Sequence, residues 1–392
     1  MYKIKTFNQI SVKGLDRFSR EKYEVGSDIG HPDAVLLRSH KLHNEILADS
    51  VLAVARAGAG VNNVPVEDYS QKGIVVFNTP GANANAVKEL VLAGLLLGSR
   101  GIKSGIDHVT TLHYVHDAGE LHKTLEAQKK QFAGNELKGK TLGIIGLGAI
   151  GSLVADMALA LGMKVVGFDP ALSIEAAWRL SSDVQKAENM HALLARCDYV
   201  SLHVPAIKPT HHMINDDALA QAKPGMVLVN FARESIVDPQ AIVKALDNGK
   251  LRGYVCDFPE PVFYGRSDVI AMPHIGASTA EAEENCAIMA AEQIMDFLEN
   301  GNIKNSVNFP EVSMARCEGQ RIIFANENVP KVLGSVLSVL ADHNVNVLDM
   351  MNKSRGDLAY NILDVEQMEN GHVIEAIRDI EHVTTVRLIG FR

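Results

Sequence analysis

The sequence has little sulfur, few aromatic side chains and no surplus of positive charge. Four cysteines in 392 residues, Cys197, Cys256, Cys286 and Cys317, share no C-x-x-C spacing. That excludes a zinc ribbon and a dense disulfide framework and points to a reducing compartment, the cytoplasm. Lysine and arginine number 38 against 47 aspartates and glutamates, a net charge of −9. The chain thus carries no electrostatic footprint for a phosphate backbone, and nucleic acid is not an expected partner. No run approaches the roughly 18 apolar residues of a membrane span. The opening MYKIKTFNQISVKGLDRF alternates apolar and polar residues in place of a signal-type apolar core. Internal repeats and low-complexity tracts are missing too. What remains is ordinary globular usage, with 47% hydrophobic and 22% charged residues, and a length that favours two or three domains.

From Met1 to about Leu92, short apolar runs (Ala34 to Leu37, Val51 to Ala55, Ile74 to Phe77) alternate with helical spacers, the rhythm of parallel α/β units. After the polar stretch from Phe132 to Lys140, a second series begins with LGIIG and continues through KVVGFD, YVSLHV and GMVLVNFA. A long helix is expected from Thr279 to Leu298, with a domain boundary near Pro310. The remainder reads as strand (Gln320 to Ala325), helix (Pro330 to His343), two strands (Val345 to Asn352, Leu358 to Glu366), helix (Gly371 to Ile380) and strand (Thr384 to Phe391), a βαββαβ order. The expected fold is α/β. Two doubly wound Rossmann-like lobes, residues 1–92 with 282–305 and residues 93–281, precede a ferredoxin-like module over residues 317–392.

Gly146-Leu147-Gly148-Ala149-Ile150-Gly151 is a G-x-G-x-x-G placed between an apolar strand and a helix. The first glycine allows a tight turn, the second lets the backbone approach a pyrophosphate, and the third lets the helix pack on its strand. Asp169 closes the next strand, where a carboxylate accepts from ribose hydroxyls and repels a 2′-phosphate, so NAD is expected over NADP.

Oxidation of a 2-hydroxy acid needs a cation for the carboxylate and carbonyl and a base for the hydroxyl proton. Arg233, just past the strand in VLVNFAR, suits the first task. His274, in MPHIGAST, suits the second, and Glu260 could hydrogen-bond the imidazole and favour its charged form. The histidines His108, His113, His116 and His122 do not share one helical face, so no metal is expected.

The ordered set GLGAIG, Asp169, HVP, NFAR, CDF and PHIGAST resembles the D-isomer-specific 2-hydroxyacid dehydrogenase family over roughly residues 1–305. The resemblance implies a catalytic trio of Arg233, Glu260 and His274. It also implies nucleotide contacts from Gly146, Gly148, Ala149, Ile150, Gly151, Asp169, Pro205, Phe231, Ala232, Arg233, Asp257, His274, Gly276 and Ala277. Two departures stand out: Arg233 is followed by Glu234 where the family usually has glycine, and the loop Asp257-Phe258-Pro259-Glu260-Pro261 is two residues short. Glu283 or Glu284 is the alternative should Glu260 be displaced.

Arg38 in LLRSHKL, Arg56 and Gly58 in RAGAG, and Asn83 resemble the substrate contacts of family members that act on D-3-phosphoglycerate, with Lys41 or His40 adjacent. The last module resembles an ACT domain. Asn326, Asn328 and Asn346 then match positions that take L-serine, although Asn326 stands where histidine can occur and Lys331 where glycine is usual. A pure dimerisation surface is the equal alternative for this module. The implied activity is NAD-dependent oxidation of D-3-phosphoglycerate to 3-phosphohydroxypyruvate, which opens L-serine biosynthesis, in a homo-oligomer (dimer or tetramer). The alternatives are another D-2-hydroxyacid dehydrogenase, a glyoxylate or hydroxypyruvate reductase, or an NAD-sensing binding protein of the same fold.

Overall fold

The computed structural model describes residues 1–368 and 371–390. The chain divides into two compact units, Met1–Asn83 with Ala280–Arg392, and Ala84–Thr279. The first break precedes Leu92 because Ala84–Ser99 is one unbroken helix. Phe391, the expected end of the last strand, lies outside the described residues.

In the first unit, five parallel strands run in the order Tyr23–Gly26, Tyr2–Thr6, Ala34–Leu37, Ala53–Arg56, Val75–Phe77. This is the 2-1-3-4-5 order of a doubly wound sheet. Ala34–Leu37 and Val75–Phe77 are buried throughout, as parallel strands covered on both faces are. Ile4, Ala34, Leu36, Ala53, Ala55 and Phe77 belong to the core of one face, and Val35, Leu37, Val54 and Val76 to that of the other. The helix Ala280–Asn300 covers the first of these with Ala287, Ala290, Ala291, Ile294 and Leu298, an i, i+3, i+4 stripe of mostly small residues. Small side chains bring elements close. A Cβ on Gly14 would lie 2.5 Å from the Ala287 Cβ and 2.6 Å from its carbonyl carbon.

The same unit carries an antiparallel sheet ordered Val347–Arg355, Leu358–Val365, Gln320–Glu327, Val383–Ile389. With helices Val332–Asp342 and His372–Arg378, this is the ferredoxin-like arrangement. One face, through Ile322, Phe324 and Leu363, packs on those two helices. The other, through Ile323, Ala325, Tyr360 and Ile362, joins the core of the first lobe with Phe297, Leu298 and Phe309. Arg321 fastens the seam. Fully buried, it donates to both Asp364 carboxylate oxygens (2.6 and 2.7 Å) and to the carbonyls of Asn300, Met314 and Ala315. All five guanidinium N–H groups thereby have acceptors, the condition under which a buried cation is tolerated.

The second unit is a seven-stranded parallel sheet ordered Val269–Ala271, Leu251–Cys256, Met226–Asn230, Tyr199–Leu202, Thr141–Ile145, Lys164–Phe168, Val184–Lys186. Strand order reverses between Thr141–Ile145 and Tyr199–Leu202, and the crevice beyond the carboxyl ends at such a reversal is where α/β sheets take ligands. Among the described residues no helix is long and apolar enough to cross a membrane.

Candidate active site

The glycine turn lies at that reversal. The chain leaves Thr141–Ile145 through Gly146 at φ +93°, a left-handed conformation that favours glycine. A side chain at Gly146 would meet the His203 carbonyl, and one at Gly151 the Gly146 carbonyl. Gly148 is different, because a Cβ there would enter open space. Helix Ala149–Ala160 starts directly after it with no side-chain cap, which leaves its first N–H groups and the positive end of its dipole for an anion. The Asp169 carboxylate is tied to this turn, accepting from the Leu147 N–H at 2.8 Å and the Ala171 N–H at 2.9 Å. Each oxygen keeps lone-pair capacity for a ribose hydroxyl.

His203 lies against the same turn. Its Nε2 is 2.9 Å from Ser201 Oγ, whereas Nδ1 is buried without a hydrogen-bond partner. Burial pushes its pKa down to about 4, so the ring is neutral at pH 7. An uncapped helix start, open space at Gly148, an anchored acid and an orphaned ring nitrogen together fit a dinucleotide.

Arg233 follows the wholly buried strand Met226–Asn230. Asn230, fully buried, shapes the turn between them: its Oδ1 accepts from the Ala232 N–H at 3.1 Å and its Nδ2 donates to the Arg233 carbonyl at 2.9 Å. The half-buried Arg233 guanidinium donates to the Ala232 carbonyl at 2.6 Å, and no carboxylate among the described residues pairs with it. It is therefore available to an external anion. The additional charge beside it, Glu234, is exposed and opens the short turn Glu234–Ile236.

His274 is exposed and adopts φ +57°, unusual for a residue with a side chain. Asp257, only 1% exposed, enforces this geometry. Its carbonyl accepts from the His274 N–H at 3.0 Å, and its two carboxylate oxygens accept from the N–H groups of Ile275 (2.8 Å) and Gly276 (2.7 Å). The imidazole packs on the Phe258 ring with centroids 4.9 Å apart. The expected hydrogen bond from Glu260 to His274 is not among the contacts of the described residues. The loop is short and Glu260 sits between two prolines, so Phe258 meets the imidazole instead. The Glu260 charge is felt elsewhere. Tyr254 and Cys256 are pushed up mainly by burial, with Glu260 adding to the effect. The alternative acids are engaged in the first unit, Glu283 with Arg38 and Glu284 with Lys13, both at 2.6 Å.

In that unit Arg38 follows strand Ala34–Leu37, and Arg56 ends the neighbouring strand in register with Leu37. Arg56 Nε donates to the Arg38 carbonyl at 3.1 Å, and a side chain at Gly58 (φ +155°) would strike the Arg56 guanidinium. Asn83 ends the first segment of the unit. His40 is occupied, stacked on Phe7 and paired with Glu45 at 2.9 Å, and Lys41 is exposed.

The three asparagines of the last module do not gather. Asn326 is buried and donates to the Glu327 carbonyl while accepting from Asn361. Asn328 donates to the Gly356 carbonyl at 3.1 Å. Asn346 lies past the other end of Val332–Asp342, a helix roughly 16 Å long, and donates to Glu366 at 3.2 Å. Lys331 adopts φ +80°, as the glycine usual there would. Asn230, the clasping role of Asp257 and the Arg38–Glu283 pair escaped sequence reasoning. Of these only Asn230 left a signal, a lone amide ending an apolar strand.

A family model described as D-isomer specific 2-hydroxyacid dehydrogenase, NAD binding domain, matches residues 106–276. A D-3-phosphoglycerate dehydrogenase of Haemophilus influenzae is 33% identical, covering 87% of this chain and 82% of that protein. One of Escherichia coli is 32% identical, covering 90% and 85%. Among solved structures, an NAD+-bound 3-phosphoglycerate dehydrogenase of Entamoeba histolytica aligns with a TM-score of 0.61 and 28% identity, covering 78% of this chain and 98% of that one. Identity at this level over this much of both chains, with the glycine turn, the anchored acid and the arginine and histidine loops in one sheet, means that the chain belongs to the D-isomer-specific 2-hydroxyacid dehydrogenase family.

Proposed function

We propose that this chain is an NAD-dependent dehydrogenase that oxidises D-3-phosphoglycerate to 3-phosphohydroxypyruvate, the reaction that opens L-serine synthesis. The observation that carries this reading is Arg233, a half-buried guanidinium without an anionic partner among the described residues, just past the strand that pairs with the one leading into the His274 clasp. Gly146 to Gly151 and Asp169 would hold the pyrophosphate and ribose, with Pro205, Phe231, Ala232, Asp257, Gly276 and Ala277 lining the remainder. When bound, NAD supplies the acceptor for the hydride leaving C2. Arg233 binds the substrate carboxylate and draws electron density from the developing carbonyl. His274 takes the C2 hydroxyl proton at its imidazole, and the Asp257 clasp fixes where that imidazole stands. Glu260 is assigned to the catalytic trio on the sequence resemblance alone. Arg38, Arg56, Gly58 and Asn83 are assigned to the substrate on the sequence resemblance; the two arginines are assigned to its phosphate because they stand at adjacent strand ends and paired guanidinium groups suit a dianion.

The test is the initial rate of NADH formation with D-3-phosphoglycerate beside D-lactate and D-glycerate. Activity on the phosphorylated acid is expected, and activity confined to the other two would refute the reading.

Homo-oligomerisation and a cytoplasmic location belong to the same reading. Helices Ile102–Thr111 and Ala118–Gln128 bury none of their side chains, and Ile106 is 60% exposed. A second copy covering Ile106, Val109 and Tyr114 would account for the exposure of these side chains. L-serine is the proposed effector, with Asn326, Asn328 and Asn346 as its positions. Their separation within one chain favours a site completed by two copies.

A further inference from the structure

Glu283 lies in the first turn of helix Ala280–Asn300, and its Oε1 is 2.6 Å from Arg38 Nη1. The two side chains are 45% and 37% exposed, so solvent reaches the pair. Around it, Arg56 donates to the Arg38 carbonyl. The buried Cys286 thiol, one helical turn after Glu283, lies within the fields of Arg38, Arg56 and Glu283 alike. Two cations and one carboxylate therefore converge at the carboxyl ends of strands Ala34–Leu37 and Ala53–Arg56. Glu283 is the acid that already occupies the guanidinium assigned above to the substrate phosphate.

We propose that Glu283 is a resident counter-ion for Arg38 that the phosphate must displace, so that Glu283 sets how tightly this subsite holds a phosphate. The inference rests on the reading that Arg38 meets the phosphate. A singly charged group replacing Glu283 exchanges one carboxylate-type contact for another and gains little. Glu283 also competes from the same chain, at an effective concentration no dilute ligand matches. A phosphate dianion brings twice the charge and three acceptor oxygens, enough to engage Arg38 and Arg56 together. Because an exposed, solvent-screened ion pair is weak, the barrier that Glu283 sets amounts to a factor of about two to five in affinity.

The experiment compares the full-length chain with Glu283→Gln, Glu283→Ala and Arg38→Ala. Both Glu283 variants are expected to lower KM for D-3-phosphoglycerate and the inhibition constant of inorganic phosphate by about two- to fivefold. KM for D-glycerate, neutral at C3, should not move. The alanine variant separates loss of the charge from a new donor that glutamine would bring. An unchanged or raised KM in both Glu283 variants, with Arg38→Ala still raising it, overturns the counter-ion and leaves the substrate reading intact. An unchanged KM in Arg38→Ala overturns the phosphate assignment itself.

Discussion

Individual residues in this protein act through the backbone they hold. Asp257 spends both carboxylate oxygens on the N–H groups of Ile275 and Gly276, and so keeps His274 at a positive φ. Asp257→Ala is expected to lower kcat by about 10- to 100-fold, the scale seen when a positioned acid-base group loses its orientation, with Tm falling by only a few degrees. Steady-state rates beside a melting curve check this. Arg233→Ala should cost roughly 2–5 kcal/mol in kcat/KM, whereas Arg233→Lys keeps the charge and loses the bidentate fork. His203 sets a pH response. Its folded pKa of about 4 lies below the ordinary 6.5, so the unfolded chain binds the proton first as pH falls. The stability this confers is complete above pH 6.5 and is lost progressively towards pH 4. Across that window it amounts to about 3 kcal/mol. Denaturant titrations at pH 7 and 4.5 should show the drop, and His203→Gln should flatten it.

At the scale of elements, much was legible because the signals are local. The glycine turn, its flanking strand and helix, and the acid ending the next strand are neighbours in sequence, and the βαββαβ alternation of the last module is written in periodicities of two and about 3.6 residues. Tertiary partners were not. The short, proline-flanked Glu260 loop could be seen to be unusual, yet nothing in it disclosed that Phe258 would meet the imidazole. Nothing in the sequence marks Gly14, and only the packed structure reveals the Ala287 backbone against it. Gly14→Val should therefore force helix Val12–Leu15 away from Ala280–Asn300 and destabilise the chain by about 1–3 kcal/mol, measurable as a reduced denaturation midpoint. Arg321 likewise sits in an apolar strand, and its three carbonyl acceptors come from Asn300, Met314 and Ala315, positions that no pattern connects to it.

At the scale of the molecule, that arginine decides whether the last module stays on the first lobe. Arg321→Met leaves Asp364 buried without its cation, a loss of about 3–5 kcal/mol, and calorimetry should resolve a separate, earlier transition. Asp364 responds to acid in the same sense. Burial alone would raise its carboxyl, but the hydrogen bonds from Arg321 outweigh this and hold it below the usual carboxylate value. The stabilisation it gives is present above that ordinary value and disappears as pH falls through the lowered one.

The first unit is also assembled from the two ends of the chain, Met1–Asn83 and Ala280–Arg392, with Ala84–Thr279 between them. On the ribosome this imposes an order. The first five strands are made early, but the apolar stripe of Ala280–Asn300 that covers one face of their sheet emerges only after the intervening segment has been translated. At roughly 5–20 residues per second, that face waits on the order of 10–40 s. A continuous unit can fold in the interval; a discontinuous one cannot. The nascent chain should consequently carry a long-lived apolar surface centred on Ile4, Leu36, Ala55 and Phe77, which makes this lobe the part of the protein most exposed to aggregation during synthesis.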